Sequence, residues 1–276
     1  MIIWIASYPK SGNTWVRSFL TSYIYTNENS FDLSKLKYIQ SFGQLKHYRN
    51  HVRNFDNFNE ISNSWMKIQK KINEDNKKIK FFKTHNGLYK IGDSFFTNKK
   101  NTLGVIYIVR DPRDIVISAS HHFNQDHNLS TKMLFNNQNY ESFTENGFEY
   151  VRSIVGSWDN HYNSWNSLKE KEKIIIKYEE LHKDPKKEFK KILNFISQFT
   201  PFEINDNKIK KSIESTNFSN LQNLEKKEGF VEQNKKNTFF RSGRVGEWRE
   251  KLDKKLVEKI EEKFFKEMKY LGYLNY

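Results

Sequence analysis

The sequence predicts an α/β fold of one domain, residues 1–276, in which helices flank a central parallel β-sheet. Short apolar segments rich in β-branched residues alternate along the chain with longer segments that have helical spacing of apolar residues, a pattern typical of βαβ units. The 276 residues contain no repeat and no Pro/Gly/Ser-rich linker. Aromatic residues make up 16% of the chain, and disordered chains lack such a content.

The elements follow from short apolar runs and from apolar periodicity. Strands are predicted at residues 2–8, 79–84, 103–109 and 173–178, and helices at residues 14–25, 111–123, 141–168, 184–198, 206–215 and 250–270. The run at 103–109 is apolar throughout, as expected for a strand covered on both faces. Segments 27–75 and 120–150 are irregular, aromatic and rich in Asn. Because they are too long for simple connections, we expect them to build a lid or an acceptor pocket.

The composition excludes several classes of protein. The chain has no cysteine, which removes disulfides, thiolate catalysis and cysteine-bound metals. No apolar run approaches the ~20 residues that span a bilayer, and the apolar start is too short for a secretory signal. We therefore expect a soluble, cytoplasmic protein without a membrane span. The net charge of +14 fits either a basic surface or an anionic ligand.

The arginines are more informative than the lysines. Only nine of the 47 basic residues are Arg, and five of these lie in two short segments, Arg110 with Arg113 and then Arg241, Arg244 and Arg249. The planar guanidinium group matches phosphate oxygens in pairs. Two clusters of Arg in a Lys-rich chain therefore indicate two parts of a phosphate site, although surface ion pairs would give the same clusters.

A glycine turn comes directly after the first predicted strand, in the run Lys10, Ser11, Gly12, Asn13 and Thr14. Gly12 allows a tight turn, and the first amides of the following helix then face an anion. Lys10 adds a positive charge, and the hydroxyls of Ser11 and Thr14 add donors. The alternative is an ordinary turn capped by Asn13 or Thr14. The run is not a Walker A loop, in which the lysine follows the glycine.

The strand predicted at 103–109 runs into Arg110, at the sheet edge where open α/β sheets bind ligands. Ser118 follows two helical turns later and faces roughly the same way. An arginine at this strand end would repel a metal ion and attract a phosphate, whereas Mg²⁺-dependent NTPases hold their metal there with an Asp. Residues 236–246 place two glycines and two arginines in a helix-free stretch that can wrap an anion.

Together these segments resemble the motifs of sulfotransferases that use 3′-phosphoadenosine 5′-phosphosulfate (PAPS). PKSGNTW resembles the 5′-phosphosulfate loop, YIVRDPRDIVIS the 3′-phosphate segment and FFRSGRVGEW the C-terminal signature. The resemblance implies a P-loop NTPase-like fold, PAPS as donor, 3′-phosphoadenosine 5′-phosphate (PAP) as product, and no metal. Ser242 stands where the signature often has Lys, and Glu247 where it has Asp. The family's dimerisation pattern is not recognisable, which leaves the oligomeric state open.

The resemblance also implies roles for individual residues. His85, in a Lys-Thr-His run after the second predicted strand, is implied as the general base, and an imidazole with a pKa of about 6.5 suits that task. Lys10 and Lys83 are implied to neutralise charge on the phosphosulfate. Tyr178 and Thr216 are implied to lie near the purine, with Phe218 and Trp15 on its faces. The full set of implied donor contacts is Lys10, Ser11, Gly12, Asn13, Thr14, Trp15, Arg110, Ser118, Tyr178, Thr216, Phe218, Arg241, Ser242 and Gly243.

The acceptor is expected to be a small alcohol, phenol or sugar, or an amine. Six aromatic residues of the irregular segments are candidates to hold it: Phe42, Tyr48, Phe55, Phe58, Phe123 and Phe135. A second group comprises His121, His122, Asp126 and His127. Because adjacent histidines point in different directions, we expect this group to line the acceptor pocket and not to bind a metal.

Two other functions stay open at this point. A P-loop phosphotransferase is disfavoured by the missing Walker A and Walker B features. A nucleic-acid-binding protein is suggested by the net charge, but the lysines are interleaved with glutamates along the predicted helices, as on a solvated face. No nucleic-acid-binding motif is present in the sequence, so we expect no nucleic-acid partner.

Overall fold

A computed structural model describes residues 1–26, 31–74, 78–138, 140–141, 144–145, 148–233 and 237–274. Its central sheet has five strands, β1 (Ile2–Ser7), β2 (Gln40–Ser41), β3 (Lys80–Thr84), β4 (Thr102–Val109) and β5 (Lys173–Lys177). The strands are parallel, with the spatial order β5-β4-β1-β3-β2. The predicted class, an α/β fold with a parallel sheet between helices, is confirmed.

Helices pack on both faces of this sheet. They are α1 (Asn13–Tyr25), α2 (Phe58–Asn73), α3 (Pro112–Phe123), α4 (His127–Phe135), α5 (Trp158–Asn166), α6 (Tyr178–Lys183), α7 (Pro185–Ser197), α8 (Asp206–Ser215), α9 (Phe218–Glu228), α10 (Trp248–Lys251), α11 (Lys254–Lys263) and α12 (Phe265–Tyr270). Short antiparallel pairs join Lys90–Ile91 to Ser94–Phe95, Tyr140–Glu141 to Ser153–Ile154, and Thr144–Glu145 to Phe148–Glu149. Among the described residues, no helix is long and apolar enough to cross a bilayer.

The core consists of two apolar layers separated by the sheet. Every residue of β1 is buried, and successive side chains point to opposite faces. Trp4 belongs to the layer formed with α2, α5 and α11, whereas Ile3 and Ile5 belong to the layer formed with α1 and α7. Because β1 pairs in parallel with β3 and with β4, the carboxyl ends of these three strands meet at one edge of the sheet.

Two helix predictions are wrong in extent. The helix expected at 141–168 exists only as α5, and Val151 and Ile154 lie before it in irregular chain or a short strand. Residues 142–143 and 146–147 of that prediction lie outside the described residues. The helix expected at 250–270 is divided into α10, α11 and α12. Asp253 caps α11 by accepting from the backbone of Lys255, which starts a new helix within the predicted one.

The two segments expected to be irregular each contain a helix. Segment 27–75 contains α2, whose buried residues Ile61, Trp65 and Ile68 recur at helical spacing. Segment 120–150 contains α4, which is capped by the Asp126 side chain. Helix α9 was also not predicted. Asn and aromatic residues have weak helix propensity, so the sequence of these segments did not indicate helices. Tertiary packing overrides that propensity in the folded protein.

Candidate active site

The loop between β1 and α1 has the backbone of an anion cradle. Gly12 is the N-cap of α1 with φ +96°, and a Cβ there would lie 2.5 Å from the Tyr178 ring, so that only glycine fits. Lys10 also has a positive φ, of 67°. That conformation costs of order 1–3 kcal/mol in a non-glycine residue and is concentrated at ligand sites.

The helix start is not capped by a side chain, contrary to the alternative interpretation of this turn. The N-cap residue is Gly12, which has no side chain to cap the helix. Asn13 instead turns back to β1, where its Nδ2 donates to the Ile5 carbonyl at 3.0 Å and to Ser7 Oγ at 3.2 Å. The positive end of the α1 dipole therefore stays available to an anion in the cradle.

Arg110, at the end of β4, joins the cradle to the loop before α10. Its Nη1 donates to the Lys10 carbonyl and its Nη2 to the Arg244 carbonyl, each at 3.1 Å. Its guanidinium lies 4.4 Å from the centre of the Tyr178 ring. Within the described part of the chain, no carboxylate pairs with Arg110 and its buried Nε has no hydrogen-bond partner. A surface ion pair therefore does not explain this arginine.

The side chain of Asp114 holds the loop at 241–248 against this site through the backbone amides of the loop. The Asp114 carboxylate accepts from the amides of Gly246 at 2.6 Å and Trp248 at 3.1 Å. Gly243 has φ +65°, and a Cβ there would lie 2.4 Å from the Phe218 ring. The loop thus packs closely enough on Phe218 that glycine is required at this position.

The other arginines have different surroundings. Arg241 lines the cavity described below and pairs with Glu247, whose pKa is about 2 because the hydrogen bonds from Arg241 and Lys251 outweigh burial. Arg244 is exposed, pairs with Glu250 at 3.2 Å and does not line the cavity. Arg113 lies in a buried ion-pair network away from the cavity.

His85 follows β3, beside the end of β1. Ala6 and Thr84 are partners in the sheet register, which makes His85 a neighbour of Ser7. His85 Nδ1 lies 2.8 Å from the Ser7 carbonyl oxygen. Because a carbonyl can only accept, Nδ1 carries the proton in this hydrogen bond. Nε2 therefore has the free lone pair that a general base needs.

A buried histidine positions the backbone of His85. The Tyr107 hydroxyl lies 2.8 Å from His161 Nδ1, and His161 Nε2 lies 3.1 Å from the His85 carbonyl. The carbonyl must accept, so His161 donates from Nε2 and accepts the Tyr107 proton at Nδ1. Burial lowers the pKa of His161 to about 3, which keeps this ring neutral and the chain of hydrogen bonds intact.

The pKa of His85 is also shifted. Burial, and next the charge of Lys83, hold it well below the ordinary value of 6.5, although the Ser7 hydrogen bond and the charge of Glu232 oppose that shift. The imidazole is therefore neutral at physiological pH, which is the protonation state that accepts a proton.

Lys83 and an unpredicted glutamate meet beside His85. Glu232 Oε2 lies 2.9 Å from Lys83 Nζ, and Glu232 Oε1 lies 2.6 Å from Arg17 Nη1. Burial would raise the pKa of Glu232, but the charges of Arg17 and Lys83 hold it well below 4.5. This trio of charged side chains is called the Glu232 cluster below.

One cavity of about 380 Å³ connects these features. Two predicted contacts, Ser11 and Thr216, do not line it: both are buried, and the Thr216 hydroxyl donates to the Ser212 carbonyl at 2.6 Å. The other predicted site residues line it, namely Lys10, Gly12, Asn13, Thr14, Trp15, Lys83, His85, Arg110, Ser118, Tyr178, Phe218, Arg241, Ser242 and Gly243.

One end of the cavity is lined by apolar side chains and is called the apolar slot below. Trp15 and Phe218 line it and pack against the same small hydrophobic cluster, which includes Leu221. Ile213 and Pro185 extend this apolar lining. Such a slot suits an aromatic base, because stacking on ring faces needs few hydrogen bonds.

The opposite end, beyond His85, differs from the sequence expectation. None of the six candidate aromatic residues lines the cavity; Phe42 and Tyr48 are fully buried in the core, where the Phe42 ring packs on Trp4. The described residues that line this end are mostly small or polar: Ser41, Gly43, Thr84, Tyr150, Val151 and Ser153.

The histidine pair at the end of α3 is divided between two roles. His122 lines the cavity as expected, and burial, followed by the charges of Lys10 and Lys83, lowers its pKa to about 3. His121 does not line it, and its Nε2 lies 3.1 Å from the Thr238 carbonyl. Over the residues that the structure describes, no three His, Asp or Glu side chains are grouped as metal ligands.

Several functional neighbours were missed by sequence reasoning. Glu232 was not singled out in a chain rich in Lys and Glu, and His161 lacked any local motif. Asp114 and Arg17 lie in helices next to recognised motifs, but neither motif implied their contacts. Their partners are distant in sequence, by 215 residues for Arg17 and Glu232, so no local signal was available.

Comparison with known proteins identifies the family. The family model described as "Sulfotransferase domain" matches residues 2–272. The chain belongs to the sulfotransferase family. Among curated relatives, it is 28% identical to a 3-beta-hydroxysteroid sulfotransferase of Cavia porcellus, over 92% of this chain and 82% of that protein. It is 27% identical to a flavonol 3-sulfotransferase of Flaveria bidentis, over 94% of this chain and 79% of that protein.

Solved structures of sulfotransferases share the fold. A mouse sulfotransferase complexed with PAP matches with a TM-score of 0.62 and 23% identity, over 97% of this chain and 84% of that chain. A retinol dehydratase in complex with androsterone and PAP matches with a TM-score of 0.65 and 19% identity, over 97% and 80%. The sulfotransferase prediction is confirmed, and it holds over the phosphotransferase and nucleic-acid-binding alternatives.

Proposed function

We propose that this sulfotransferase moves the sulfuryl group from PAPS to a hydroxyl or amine of a small acceptor and releases PAP. One observation carries the proposal: a single cavity runs from the cradle at Gly12 to the free Nε2 side of His85. The relatives named as sulfotransferases of a steroid and of a flavonol support a small acceptor.

The donor site is proposed to bind PAPS in three parts. The cradle and Lys10 would hold the 5′-phosphosulfate, since helix amides and an ammonium group favour an anion. Arg110, Ser118 and Arg241 would hold the 3′-phosphate. The buried Arg110 Nε, without a partner among the described residues, supports this assignment because it is a donor left over for a ligand.

The purine is proposed to occupy the apolar slot between Trp15 and Phe218. Tyr178 would border the same nucleotide, because its ring already contacts Arg110 and its hydroxyl donates to the Gly243 carbonyl at 3.3 Å. Thr216 is buried behind this wall, so its proposed part is to shape the start of α9 and not to contact the purine directly.

The transfer step is proposed as an in-line displacement. The acceptor oxygen or nitrogen forms a bond to sulfur, while the bond from sulfur to the bridging oxygen of the 5′-phosphate breaks and its electron pair leaves with PAP. His85 Nε2 takes the acceptor proton, because Nδ1 is committed to the Ser7 carbonyl. Lys10 and Lys83 would neutralise the charge that develops on the phosphate and sulfuryl oxygens.

The mechanism is proposed to need no metal ion. Among the described residues, the carboxylates that line the cavity are Glu232 and Glu247, and each is already paired with two cationic side chains. Neither has a free charge for Mg²⁺, whose usual ligands are carboxylate and phosphate oxygens. Turnover should therefore be unchanged by EDTA, and full loss on chelation with recovery on adding Mg²⁺ would contradict this part.

The decisive experiment is an acceptor screen with isotopically labelled PAPS, read by mass spectrometry. A mass increase of one sulfuryl group on a small alcohol, phenol, sugar or amine, together with formation of PAP, is the expected result. Absence of transfer to every class, in a preparation that binds PAP, would overturn the proposed acceptors. The cytoplasmic location expected from the sequence stays a prediction, which fractionation of the source cells would test.

A further inference from the structure

Two members of the Glu232 cluster, Lys83 and Glu232, line the cavity, and of the three side chains only Lys83 belongs to a sequence motif described above. All three side chains are largely buried, with side-chain exposures of 4% for Arg17, 11% for Glu232 and 13% for Lys83. Two positive charges and one negative charge leave this part of the wall with a net charge of +1. A buried trio of this kind is costly to desolvate, so its presence beside the cavity calls for a specific role.

Each member of the cluster comes from a different part of the fold. Arg17 is on α1, the helix that begins at the cradle, and its Nε and Nη2 donate to the Ile39 carbonyl at 3.2 and 2.9 Å. Arg17 is therefore fixed without Glu232. Glu232 follows α9, on the stretch that leads toward the loop at 241–248, and Lys83 is on β3, two residues before His85.

Lys83 depends on Glu232 for its position. Glu232 is the one carboxylate within ion-pair distance of Lys83 in the described chain. A lysine side chain is flexible, and an ammonium group without a fixed partner samples several rotamers. The ammonium has three protons, and one hydrogen bond to Glu232 leaves the others for an anion in the cavity.

We propose that Glu232 is a positioning residue for sulfuryl transfer: anchored by Arg17, it fixes the Lys83 ammonium beside His85, where the donor and acceptor parts of the cavity meet. The inference rests on the proposed function, because it concerns the work assigned to Lys83 in the transfer step. Glu232 itself takes no proton and touches no reacting atom in this scheme.

The test is a double-mutant cycle of Glu232→Gln and Lys83→Ala in the full chain, with labelled PAPS and one good acceptor. In the Glu232→Gln variant, an amide NH₂ group that donates replaces one carboxylate oxygen. The side chain then cannot accept hydrogen bonds from both Arg17 and Lys83. We expect turnover to fall roughly 10–150-fold, the effect of a charge-assisted hydrogen bond, while the dissociation constant of PAP stays within about threefold. In the Lys83→Ala background, the same substitution should have almost no further effect on turnover.

Two further variants keep the outcome decisive. Glu232→Asp retains the charge and should keep more turnover than Glu232→Gln. It also serves as the test variant if Glu232→Gln folds poorly. Glu188→Gln is the matched control, because Glu188 is also buried and paired with a lysine but does not line the cavity. Its turnover should equal that of the wild type.

The results separate the inference from the proposed function. If the wild type transfers no sulfuryl group, the proposed function fails. If the wild type is active and Glu232→Gln keeps its turnover, the positioning role is wrong. Equal losses from Glu232→Gln with and without Lys83 would also overturn it, since Glu232 would then act on the acceptor or on the fold. A parallel loss of thermal stability and PAP binding would assign it a merely structural role.

Discussion

The donor end and the acceptor end of the cavity are built in different ways. At the donor end, backbone and side chains of three short motifs converge, and contacts such as that of Arg110 with the Lys10 carbonyl hold them together. At the acceptor end, the described lining comes from strand ends and irregular chain and includes small residues such as Ser41, Gly43 and Ser153. Contacts between motifs thus fix the geometry of the end proposed to bind the donor, whereas the end proposed to bind the acceptor is lined mainly by small or polar residues.

That difference predicts which variants change nucleotide affinity and which change turnover. A phosphate site needs fixed donors, so its residues should control nucleotide affinity. The proposed base lies where the two ends meet and the acceptor end provides the volume, so these residues should control turnover and acceptor choice. Three substitutions and one change of pH test this division.

The largest effect is expected for His85→Ala, at the boundary of the two ends. Turnover should fall roughly 10²–10⁴-fold, because the general base is removed. PAP affinity, measured by calorimetry, should stay near the wild-type value. His121→Ala is the control, because His121 lies outside the cavity, and it should have wild-type turnover. An active His85→Ala enzyme would move the search for the base to His122.

The next effect concerns stability. Phe42 was expected from the sequence to hold the acceptor, but it is fully buried against Trp4. Phe42→Ala should therefore lower the free energy of unfolding by about 3–5 kcal/mol in denaturant titrations. The acceptor KM of the folded fraction should be unchanged. Phe95→Ala, at a residue that is 54% exposed, is the control. A raised acceptor KM without loss of stability would place Phe42 in the acceptor site after all.

A smaller effect is expected for Arg110→Ala at the donor end. PAP should bind roughly 10–150-fold more weakly, because a charge-assisted phosphate contact is lost. Adenosine 5′-monophosphate, which lacks the 3′-phosphate, should lose much less affinity. Arg244→Ala removes an exposed ion pair and should change neither constant. Equal losses for both nucleotides would contradict the assignment of Arg110 to the 3′-phosphate.

The smallest effect is expected from pH. The pKa of His85 lies well below 6.5, so the base stays deprotonated when the solution is acidified moderately. Between about pH 7.5 and about pH 6, kcat/KM for PAPS should change less than about twofold. A histidine with an ordinary pKa would lose activity about fourfold over that range, because its base form is protonated. A titration midpoint near 6.5 that disappears in His85→Ala would contradict the shifted pKa.

The sequence allowed prediction of four of the five strands, but not of β2, and of most residues that line the donor end. The predicted strands at 2–8 and 103–109 are mostly apolar, and the cradle motif depends on neighbouring residues. Glu232, Asp114 and His161 could not be predicted, because their roles exist only when partners 215, 132 or 54 residues away are brought together. The acceptor pocket was predicted wrongly since an aromatic residue at the core and one at a pocket look alike in sequence.

The hydrogen bond from Arg110 to the Arg244 carbonyl has a consequence for how the protein is made. The two residues are 134 apart, so at a usual rate of translation about 7–27 s separate their synthesis. During that interval the nascent chain already carries the cradle and its arginine, but not the loop that covers them. The segment that closes the anion site is therefore made late, and a chain that stops before residue 244 has the cradle sequence and Arg110 but not the Arg244 carbonyl that Arg110 contacts.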